Sequence, residues 1–406
     1  MSAHLSIRTP DGPAGTLSRS VDGYVFNCVA ESYHPRALPG RAASLTMPVR
    51  PQPYYASALH PIFQMNLPEG YLLERLRHAF AKSASMDPML LLATMAGDAA
   101  IGRVFVDAAH AQVDEHHDPA GENLSALLSH AGAEGLFEHL FQKYFKRAAL
   151  SGVQPKVLVP EQLPVDQKAS FSTRELIVKS GLSEFPGLAI NEYVCMSAVA
   201  GAGIPVPECF LSNDRKLFVM RRFDRRSDGR ALGFEDMAVL MGLGADEKYS
   251  QSYEAIAHTI IQFTEGTHTL RSLHQLFDMV AVSCIVGNGD AHLKNFGLIY
   301  QAPDGQDATL APAYDIVNTT CYIPDDALAL TLGGAKGLYS AILRLTEFAR
   351  TCRLPDKAAK LRIIEIAHAV RDTARDFRDL ADEVPGLYPA LRDSAERYLR
   401  TFEAQV

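Results

Sequence analysis

The sequence lacks the features of secreted, membrane-spanning and disulfide-bonded proteins. Its six cysteines, at positions 28, 195, 209, 284, 321 and 352, include no CxxC pair, and most lie in apolar runs. This spacing favours buried, reduced thiols over a disulfide framework or a zinc site. No charged segment followed by an apolar one stands at the N-terminus, and no apolar run is long enough to cross a bilayer. We therefore expect a cytoplasmic protein.

An excess of positive charge and internal repeats are also missing. The 406 residues carry a formal net charge of -8, so the molecule as a whole is not built to bind nucleic acid. A local basic face remains compatible with that charge. The hydrophobic share of 47% and the charged share of 21% are ordinary for a globular protein. The length allows two or three compact units.

The first part of the chain shows no chemistry, and we expect a subdomain used for packing or docking. Its short strands are predicted at 24–30, 43–48 and 103–106, with one helix opened by residues 66–70 and another spanning 89–95. A polar linker follows at 107–123. Its stretch Asp114-Glu115-His116-His117-Asp118 favours a solvated loop over a metal site, because adjacent residues on a flexible segment do not preorganise ligands. An amphipathic helix is predicted over 124–145.

A candidate phosphate-binding segment comes next, Ser151-Gly152-Val153-Gln154-Pro155-Lys156. Its glycine allows backbone N–H groups to approach an anion, although a glycine in a hairpin turn is the commoner explanation. The strand predicted at 175–179 ends on Lys179, which fits a lysine that pairs with nucleotide phosphates. Glu192, near the start of the following helix, either orients that lysine or only stabilises the first helical turn.

Charged residues follow a predicted hairpin of strands at 209–211 and 216–220. The run is Arg221-Arg222-Phe223-Asp224-Arg225-Arg226. It fits either a basic patch for nucleic acid or a hinge whose backbone meets adenine and whose charges are paired, and the acidic net charge favours the hinge. Beyond it, helices are predicted from 235 and over 253–263, 270–286, 356–382 and 388–402.

The most informative stretch runs from Gly287 to Phe296 and packs an Asp, a His, a Lys and an Asn into six residues. Asp290, Asn295 and Asp315 come in the order acid, amide, acid, which phosphoryl-transfer sites use to hold a hydroxyl nucleophile and Mg²⁺. The alternative is a polar turn that closes a helix. The sequence predicts an ATP-dependent kinase, since the turn does not explain the accompanying glycine segment and lysine.

Each polar residue of this stretch has a predicted role. Asp290 is the candidate base for the acceptor hydroxyl, while Asn295 and Asp315 offer hard oxygens to the metal. Lys294, with Lys179, neutralises charge on the phosphate. His292 is a phosphate contact, a structural hydrogen bonder or a second base; we favour the first two roles because an acid already fills the base position.

These motifs together resemble the HipA family of bacterial toxin serine/threonine kinases, over nearly the whole chain. The resemblance is carried by the pieces Ser151–Lys156, Arg222–Arg225, Glu235–Met237, Asp290–Phe296 and Tyr314–Val317. It implies an α+β, bilobal protein-kinase-like fold. The implied organisation is a β-rich N-terminal subdomain (1–106), a linker (107–123), a kinase N-lobe (124–226) and a helical C-lobe (227–406).

The resemblance also implies a chemistry and partners. ATP and Mg²⁺ would serve as cofactors, a protein serine as acceptor, and an aminoacyl-tRNA synthetase as a target whose modification halts growth. A small helix-turn-helix, HipB-like antitoxin would bind the toxin and operator DNA. Nucleotide contacts would come from Ser151, Gly152, Val153, Gln154, Pro155, Lys156, Lys179, Arg221, Arg222, Phe223, His292, Tyr314, Asp315, Ile316 and Val317. Alternatives are a catalytically weak corepressor and a small-molecule phosphotransferase.

One position departs from the family pattern. HipA carries an inhibitory autophosphorylation serine three positions before the glycine that Gly152 matches, and here that position is Ala149. Some relatives have a second serine, which corresponds to Ser151. Autophosphorylation is therefore expected at Ser151, where added negative charge would repel nucleotide phosphates.

Overall fold

The computed structural model describes residues 4–30, 39–80, 87–94, 100–107, 121–130, 133–144, 154–162, 174–182 and 184–405. The chain divides into two compact units. Unit 1 comprises 1–180, 221–245 and 299–307, and unit 2 comprises 181–220, 246–298 and 308–406. The domain boundaries expected at 106, 123 and 226 stay predictions. Among the described residues, no helix combines the length and apolar character needed to cross a membrane.

Unit 1 opens with an antiparallel sheet near the N-terminus. Alternate residues of its first strand, such as Leu5 and Ile7, are buried, as expected for a sheet with one face on the core. The described residues give this sheet the strand order β4-β3-β2-β1-β5. Its strands are β1 (His4–Thr9), β2 (Gly12–Ser20), β3 (Gly23–Cys28), β4 (Tyr54–Ala56) and β5 (Phe105–Val106). The strands predicted at 24–30 and 103–106 are present with shifted ends.

The strand predicted at 43–48 is wrong. The structure has only a turn there, closed by a bridge between Ser44 and Met47. The Leu45 N–H, which a strand would donate to a neighbouring strand, is used otherwise. The Ser44 hydroxyl donates to one carboxylate oxygen of Glu235 (2.5 Å) and the Leu45 N–H to the other (2.8 Å). Glu235 is fully buried, and the Tyr300 hydroxyl donates to it as well.

The helices of unit 1 are short. The single helix predicted over 124–145 is interrupted, because His130 takes an extended conformation (φ −63°, ψ 129°) that cannot continue a helix. Asn123 caps the first of the two segments, accepting from the Ala126 N–H at 3.0 Å. The bounds are α1 (Pro61–Gln64), α2 (Gly70–Phe80), α3 (Pro88–Thr94), α4 (Leu124–Ser129), α5 (Ala133–Tyr144) and α7 (Met237–Leu240).

Two further strands of unit 1 carry the predicted lysines. β6 (Lys156–Glu161) and β7 (Arg174–Ser180) pair antiparallel, and their register places Lys156 opposite Lys179. The later strand β10 (Gly233–Asp236) precedes α7. The helix predicted from 235 therefore begins two residues later, at Met237. Asp236 caps this helix, since its carboxylate accepts from the Val239 N–H at 2.9 Å.

Unit 2 is mainly helical, and its helix α9 (Gly266–Val286) lies at the centre of the core. Leu273, Phe277 and Val280 on this helix are completely buried. The other helices are α6 (Leu188–Gly201), α8 (Tyr253–Phe263), α10 (Leu338–Thr351), α11 (Asp356–Asp376), α12 (Arg378–Ala381) and α13 (Leu387–Glu403). The helix predicted over 356–382 breaks at Phe377, whose backbone (φ −99°, ψ 22°) leaves the helical region. α10 was not predicted.

The predicted apolar stripes of the C-terminal helices are confirmed as core. Ile363, Ile366 and Val370 of α11 are fully buried, as is Leu391 of α13. Short strands complete the picture: β8 (Cys209–Leu211) pairs with β9 (Leu217–Arg221), as predicted, and β13 (Ala327–Leu332) pairs with β14 (Ala335–Gly337). The remaining strands are β11 (Gly297–Tyr300) and β12 (Thr309–Leu310).

The buried Glu235 cluster gives a stability prediction for unit 1. Replacing Tyr300 by Phe removes one of three donors to a carboxylate that has no access to water, so we expect a loss of about 1–3 kcal/mol. Urea unfolding followed by circular dichroism would measure it. Tyr55→Phe is the matched control, because the Tyr55 side chain is 73% exposed. Equal midpoints for the two variants would show that the hydroxyl does not support the cluster.

Candidate functional site

Gly287 ends the buried helix α9 and starts the loop that carries the predicted base. Its backbone is left-handed (φ 73°, ψ 46°). Its N–H bonds to the Cys284 carbonyl (3.3 Å), and the Asn288 N–H bonds to the Ser283 carbonyl (2.8 Å), the pattern of a Schellman motif. A Cβ at this glycine would lie 2.9 Å from the Thr320 hydroxyl. Backbone and space both require glycine, so the loop leaves the core in a fixed direction.

Hydrogen bonds within the loop fix the next residues. The Asn288 side chain accepts from the Asp290 N–H at 3.0 Å. His292 and Asn295 bond reciprocally: the His292 N–H donates to the Asn295 Oδ1 (3.1 Å), and the Asn295 N–H donates to the His292 carbonyl (2.9 Å). The Asn295 amide is therefore held in one orientation. Because a carbonyl oxygen has two lone pairs, one of them stays available for a metal.

A second segment, 314–319, is bonded to this loop at several points. The Tyr314 hydroxyl donates to the Lys294 carbonyl at 2.8 Å. The Thr319 N–H donates to the Gly287 carbonyl (3.0 Å), and the Thr319 hydroxyl accepts from the Gly289 N–H (2.8 Å). These bonds bring the segment that contains Asp315 to the loop that contains Asp290 and Asn295. We call this set of contacts the clamp.

Asn318 is the buried centre of the clamp, at 1% exposure. Its side-chain NH₂ donates to the Val286 carbonyl, and its side-chain oxygen accepts from the Cys321 N–H at 2.7 Å. Asn191 of α6 pairs with its backbone, donating to the Asn318 carbonyl (2.7 Å) and accepting from the Asn318 N–H (2.8 Å). Sequence reasoning missed Asn318, Thr319 and Asn191. The one signal was a pair of small polar residues directly after Tyr314–Val317.

Electrostatics within unit 2 tune the predicted base. Asp290 is exposed at the surface, but neighbouring protein atoms partly desolvate its carboxyl group and raise its pKa, and the negative charges of Asp315 and Asp326 raise it further. A hydrogen bond from the Tyr249 hydroxyl (2.8 Å) and the charge of Lys248 act in the opposite direction, but the net pKa stays above the ordinary value. The carboxylate is thus a stronger base than a free aspartate. Asp315 itself has a left-handed backbone (φ 55°), which Asp tolerates better than most residues.

His292 is neutral at physiological pH. Burial, helped by the positive charge of Lys248, lowers its pKa to about 3. Its ring is 8% exposed, and its Nδ1 finds no hydrogen-bond partner in the part of the chain that is described. A neutral imidazole suits a hydrogen-bonding role better than a cationic phosphate contact. The roles of His292 and Lys294 stay predictions.

The donor set fits Mg²⁺ only together with a nucleotide. Within the described ranges, no group of three His, Cys, Asp or Glu side chains could hold a metal ion by itself. Asn295 and Asp315 supply two hard oxygens. Mg²⁺ in phosphoryl-transfer sites takes one or two protein carboxylates and completes its coordination with phosphate oxygens and water. Two protein oxygens are therefore sufficient for such a site.

Unit 1 carries the predicted phosphate-binding lysines. Lys156 and Lys179 lie directly opposite each other on β6 and β7, so their side chains share one face of the sheet. The Gln154 side chain donates to the Ser180 carbonyl (3.1 Å), and the Ser180 N–H donates to the Pro155 carbonyl (3.0 Å), which fixes the start of β6. Lys156 is partly exposed and Lys179 is almost completely buried, so a phosphate contact through either lysine stays a prediction.

Several predicted features lie outside the described residues. They are Ser151, Gly152 and Val153 of the phosphate segment, Ala149 before it, and the charged stretch 114–118. Glu192 is fully buried on α6 in unit 2, and Lys179 belongs to unit 1. Orientation of that lysine by Glu192 stays a prediction.

The charges of the arginine run are paired, as predicted. Arg221 donates twice to Glu161, at 2.7 and 3.0 Å. Arg222 donates to Glu175 (2.9 Å) and to Asp224 (2.5 and 2.8 Å). Burial alone would raise the pKa of Asp224, but the neighbouring guanidinium groups hold it at about 2. These pairings favour the hinge interpretation over a basic patch, and they commit both guanidinium groups to carboxylates.

Phe223 completes the predicted adenine contact in unit 1. Its half-buried ring meets that of Phe234 edge-on, with centroids 5.6 Å apart. Unit 1 thus contains Gln154, Pro155, Lys156, Lys179 and Arg221–Phe223, and unit 2 contains Asp290, His292, Lys294, Asn295 and Tyr314–Val317. Ile316 is buried, and Tyr314, Asp315 and Val317 are partly exposed. A nucleotide role for either set stays a prediction.

The clamp gives a second stability prediction. Asn318→Ala removes side-chain bonds to Val286 and Cys321 and leaves their buried backbone groups unpaired, so we expect unit 2 to lose about 2–4 kcal/mol. Thermal unfolding would measure it. The exposed Asn213, in the same unit, provides the control Asn213→Ala. Equal melting temperatures for Asn318→Ala and the control would show that the Asn318 side-chain bonds do not stabilise unit 2.

Comparison with known proteins places this arrangement in a family. A model of the HipA-like C-terminal domain matches residues 148–374, and a model of the HipA N-terminal domain matches residues 5–106. A putative kinase, Y4dM, of Sinorhizobium fredii is 27% identical over 405 residues, which cover 92% of this chain and 90% of that protein. A putative kinase of Haemophilus influenzae is 32% identical over 192 residues, covering 43% of this chain and 53% of that protein.

A solved structure shows the same fold. It is a chain of the Shewanella oneidensis MR-1 toxin–antitoxin complex of HipA, HipB and operator DNA, with a TM-score of 0.72, 18% identity and 98% coverage of both chains. This match confirms the predicted α+β, HipA-like fold. Since the C-terminal family model alone spans more than half of the sequence, the chain belongs to the HipA family.

Proposed function

We propose that this chain is an ATP- and Mg²⁺-dependent protein kinase that transfers the γ-phosphoryl group to a serine hydroxyl. One observation carries the proposal: the clamp holds the segment of Asp315 against the loop of Asp290 and Asn295. The acid, amide and acid of a phosphoryl-transfer site are thus on connected, preorganised backbone. Relatives named as putative kinases over most or part of the chain add support.

In this mechanism Asp290 orients the acceptor hydroxyl and accepts its proton as the oxygen–phosphorus bond forms. Its raised pKa makes it a better base than an ordinary aspartate. Asn295 and Asp315 would hold Mg²⁺, which would neutralise charge on the nucleotide phosphates when bound. Lys294 adds positive charge beside the transferred group. His292 stays neutral and supports the loop through its backbone bonds with Asn295.

Groups elsewhere in the chain are proposed to bind the nucleotide. Lys156 and Lys179 contact the phosphates together with the segment that starts at Ser151. The backbone of 221–223 and the Phe223 ring contact adenine, since the Arg221 and Arg222 guanidinium groups are engaged by carboxylates. The Tyr314–Val317 segment borders the nucleotide.

The cellular role is proposed by analogy with the family. We propose a toxin that acts in the cytoplasm, phosphorylates a translation component such as an aminoacyl-tRNA synthetase and halts growth. A helix-turn-helix, HipB-like antitoxin is the proposed partner, since the structurally similar Shewanella oneidensis HipA was solved with HipB and operator DNA. With a net charge of -8, this chain itself is expected to reach DNA only through such a partner.

The proposed base is tested by Asp290→Asn. Loss of a general base lowers the rate by about 100-fold to 10,000-fold, and transfer of ³²P from γ-labelled ATP to lysate proteins measures it. Because the pKa of Asp290 is raised, its carboxylate is protonated at a higher pH than that of an ordinary aspartate. Wild-type activity should therefore fall at a higher pH on acidification than it would with an unshifted base. The exposed Asp379 gives the control Asp379→Asn. Equal protein labelling by Asp290→Asn and wild type would reject the assignment. Labelled metabolites without labelled protein would indicate a small-molecule phosphotransferase.

Autophosphorylation is tested separately at Ser151. We expect phosphopeptide mapping after incubation with Mg-ATP to find phosphate at this residue in the wild type and not in Ser151→Ala. The negative charge of the phosphate, about −1.5 to −2, should weaken ATP binding by repulsion. An active enzyme whose Ser151 remains unmodified would contradict this regulatory proposal and leave the kinase proposal intact.

A further inference from the structure

A tyrosine side chain is already hydrogen-bonded to the predicted base, Asp290. The Tyr249 hydroxyl donates to the Asp290 Oδ1 at 2.8 Å. That separation lies inside the range expected between a general base and the hydroxyl from which it takes a proton, about 2.6–3.2 Å. Neither residue is enclosed: Asp290 is exposed, and the tyrosine is 44% exposed. The phenol therefore stands where an acceptor hydroxyl from another molecule would arrive.

The backbone beside this tyrosine is fastened to the loop, but the ring is not enclosed. The Lys248 carbonyl accepts from the Leu293 N–H at 3.1 Å, which holds the segment in place. The Tyr249 ring meets the His292 ring edge-on, with centroids 5.2 Å apart, and the Lys248 ammonium lies 5.1 Å from its centroid. Rotation about the side-chain torsions would move the hydroxyl off Asp290 without breaking the Lys248–Leu293 bond. The geometry is that of a side-chain gate on a fixed support.

We propose that in the resting enzyme the Tyr249 hydroxyl takes the place of the acceptor hydroxyl on Asp290. The serine hydroxyl of a protein substrate then displaces it. The inference rests on the proposed kinase function. In the resting enzyme the phenol satisfies the carboxylate and keeps water from using it as a base. A substrate must break the phenol–carboxylate bond, so the site selects acceptors that make enough other contacts to compensate. Idle hydrolysis of ATP is suppressed by the same bond.

Tyr249 itself is not phosphorylated. The neighbouring backbone is bonded to Leu293, so the phenol moves only by rotation about its side-chain torsions, whereas a substrate serine comes with the freedom to align with the phosphate. The reaction is therefore the ordinary transfer: the serine oxygen bonds to the γ-phosphorus, the bond to the β–γ bridging oxygen breaks, and the serine proton passes to Asp290. The displaced phenol keeps its proton throughout.

Tyr249→Phe tests the inference, because it removes only the hydroxyl and keeps the ring against His292. The readout is ADP formation from Mg-ATP without protein acceptor, where water is the acceptor. We expect the rate to rise about threefold to tenfold, since a charge-assisted hydrogen bond on an exposed carboxylate no longer competes. The KM for ATP should stay within about twofold of wild type, because the hydroxyl contacts the base and not the nucleotide. With dephosphorylated casein as a serine acceptor probe, its KM should fall by a similar factor.

Tyr339→Phe is the matched control, since the Tyr339 side chain is 74% exposed and lies on α10 in the same unit. A rate for Tyr249→Phe equal to or below wild type would overturn the inference, as a lower rate would make the phenol a support for the base. Phosphotyrosine at Tyr249 in the wild type would also overturn it.

Failure of the proposed function gives a different result. If wild type and Asp290→Asn form ADP and label casein equally slowly, the kinase assignment is wrong and the inference falls with it. If wild type exceeds Asp290→Asn while Tyr249→Phe matches wild type, only the inference is wrong.

Discussion

The candidate site depends on one constraint, that the buried polar groups where helix α9 ends must be hydrogen-bonded. Asn318 and Thr319 meet this need by bonding Val286, Gly287 and Gly289. Leaving such groups unpaired in the interior would cost far more than these bonds contribute when present. The same bonds also place the segment of Asp315 beside the loop of Asp290. Stability and the arrangement of the site therefore have a common origin.

Charge is concentrated on this clamp in a way that suits a cation and a phosphate. Asp290, Asp315 and Asp326 lie close enough that the last two raise the pKa of the first. Mutual repulsion of carboxylates is relieved when a divalent cation binds, and the fixed Asn295 oxygen offers it another ligand. In unit 1, Lys156 and Lys179 lie opposite each other on β6 and β7. Their role in binding nucleotide phosphates stays a prediction.

Sequence reasoning succeeded where a motif is short and local. The hairpin at 209–221 and the helix at 253–263 follow from local pattern. It failed where a distant residue decides. Asn191 reaches Asn318 across 127 positions, and the Glu235 carboxylate accepts from the Ser44 hydroxyl and from the Leu45 N–H that a strand would have donated to its neighbour. No local pattern contains such partners.

Breaks in helices were missed for another reason. His130 and Phe377 interrupt apolar periodicity that continues on both sides, and a single backbone conformation leaves little trace in composition. Tyr249 was missed because it lies 41 positions before Asp290 in a short irregular stretch. The family resemblance supplied the fold, but not these contacts, which belong to this chain.

We propose that the clamp presents Asn295 and Asp315 as a preformed half of a nucleotide–metal site. Its most direct test is Mn²⁺ binding, followed by electron paramagnetic resonance in the presence of a non-hydrolysable ATP analogue, for wild type and Asp315→Asn. Asn suits this substitution because it tolerates the left-handed backbone at Asp315 (φ 55°). We predict nucleotide-dependent Mn²⁺ binding that weakens about tenfold or more in the variant. Equal Mn²⁺ affinity in both proteins would contradict it.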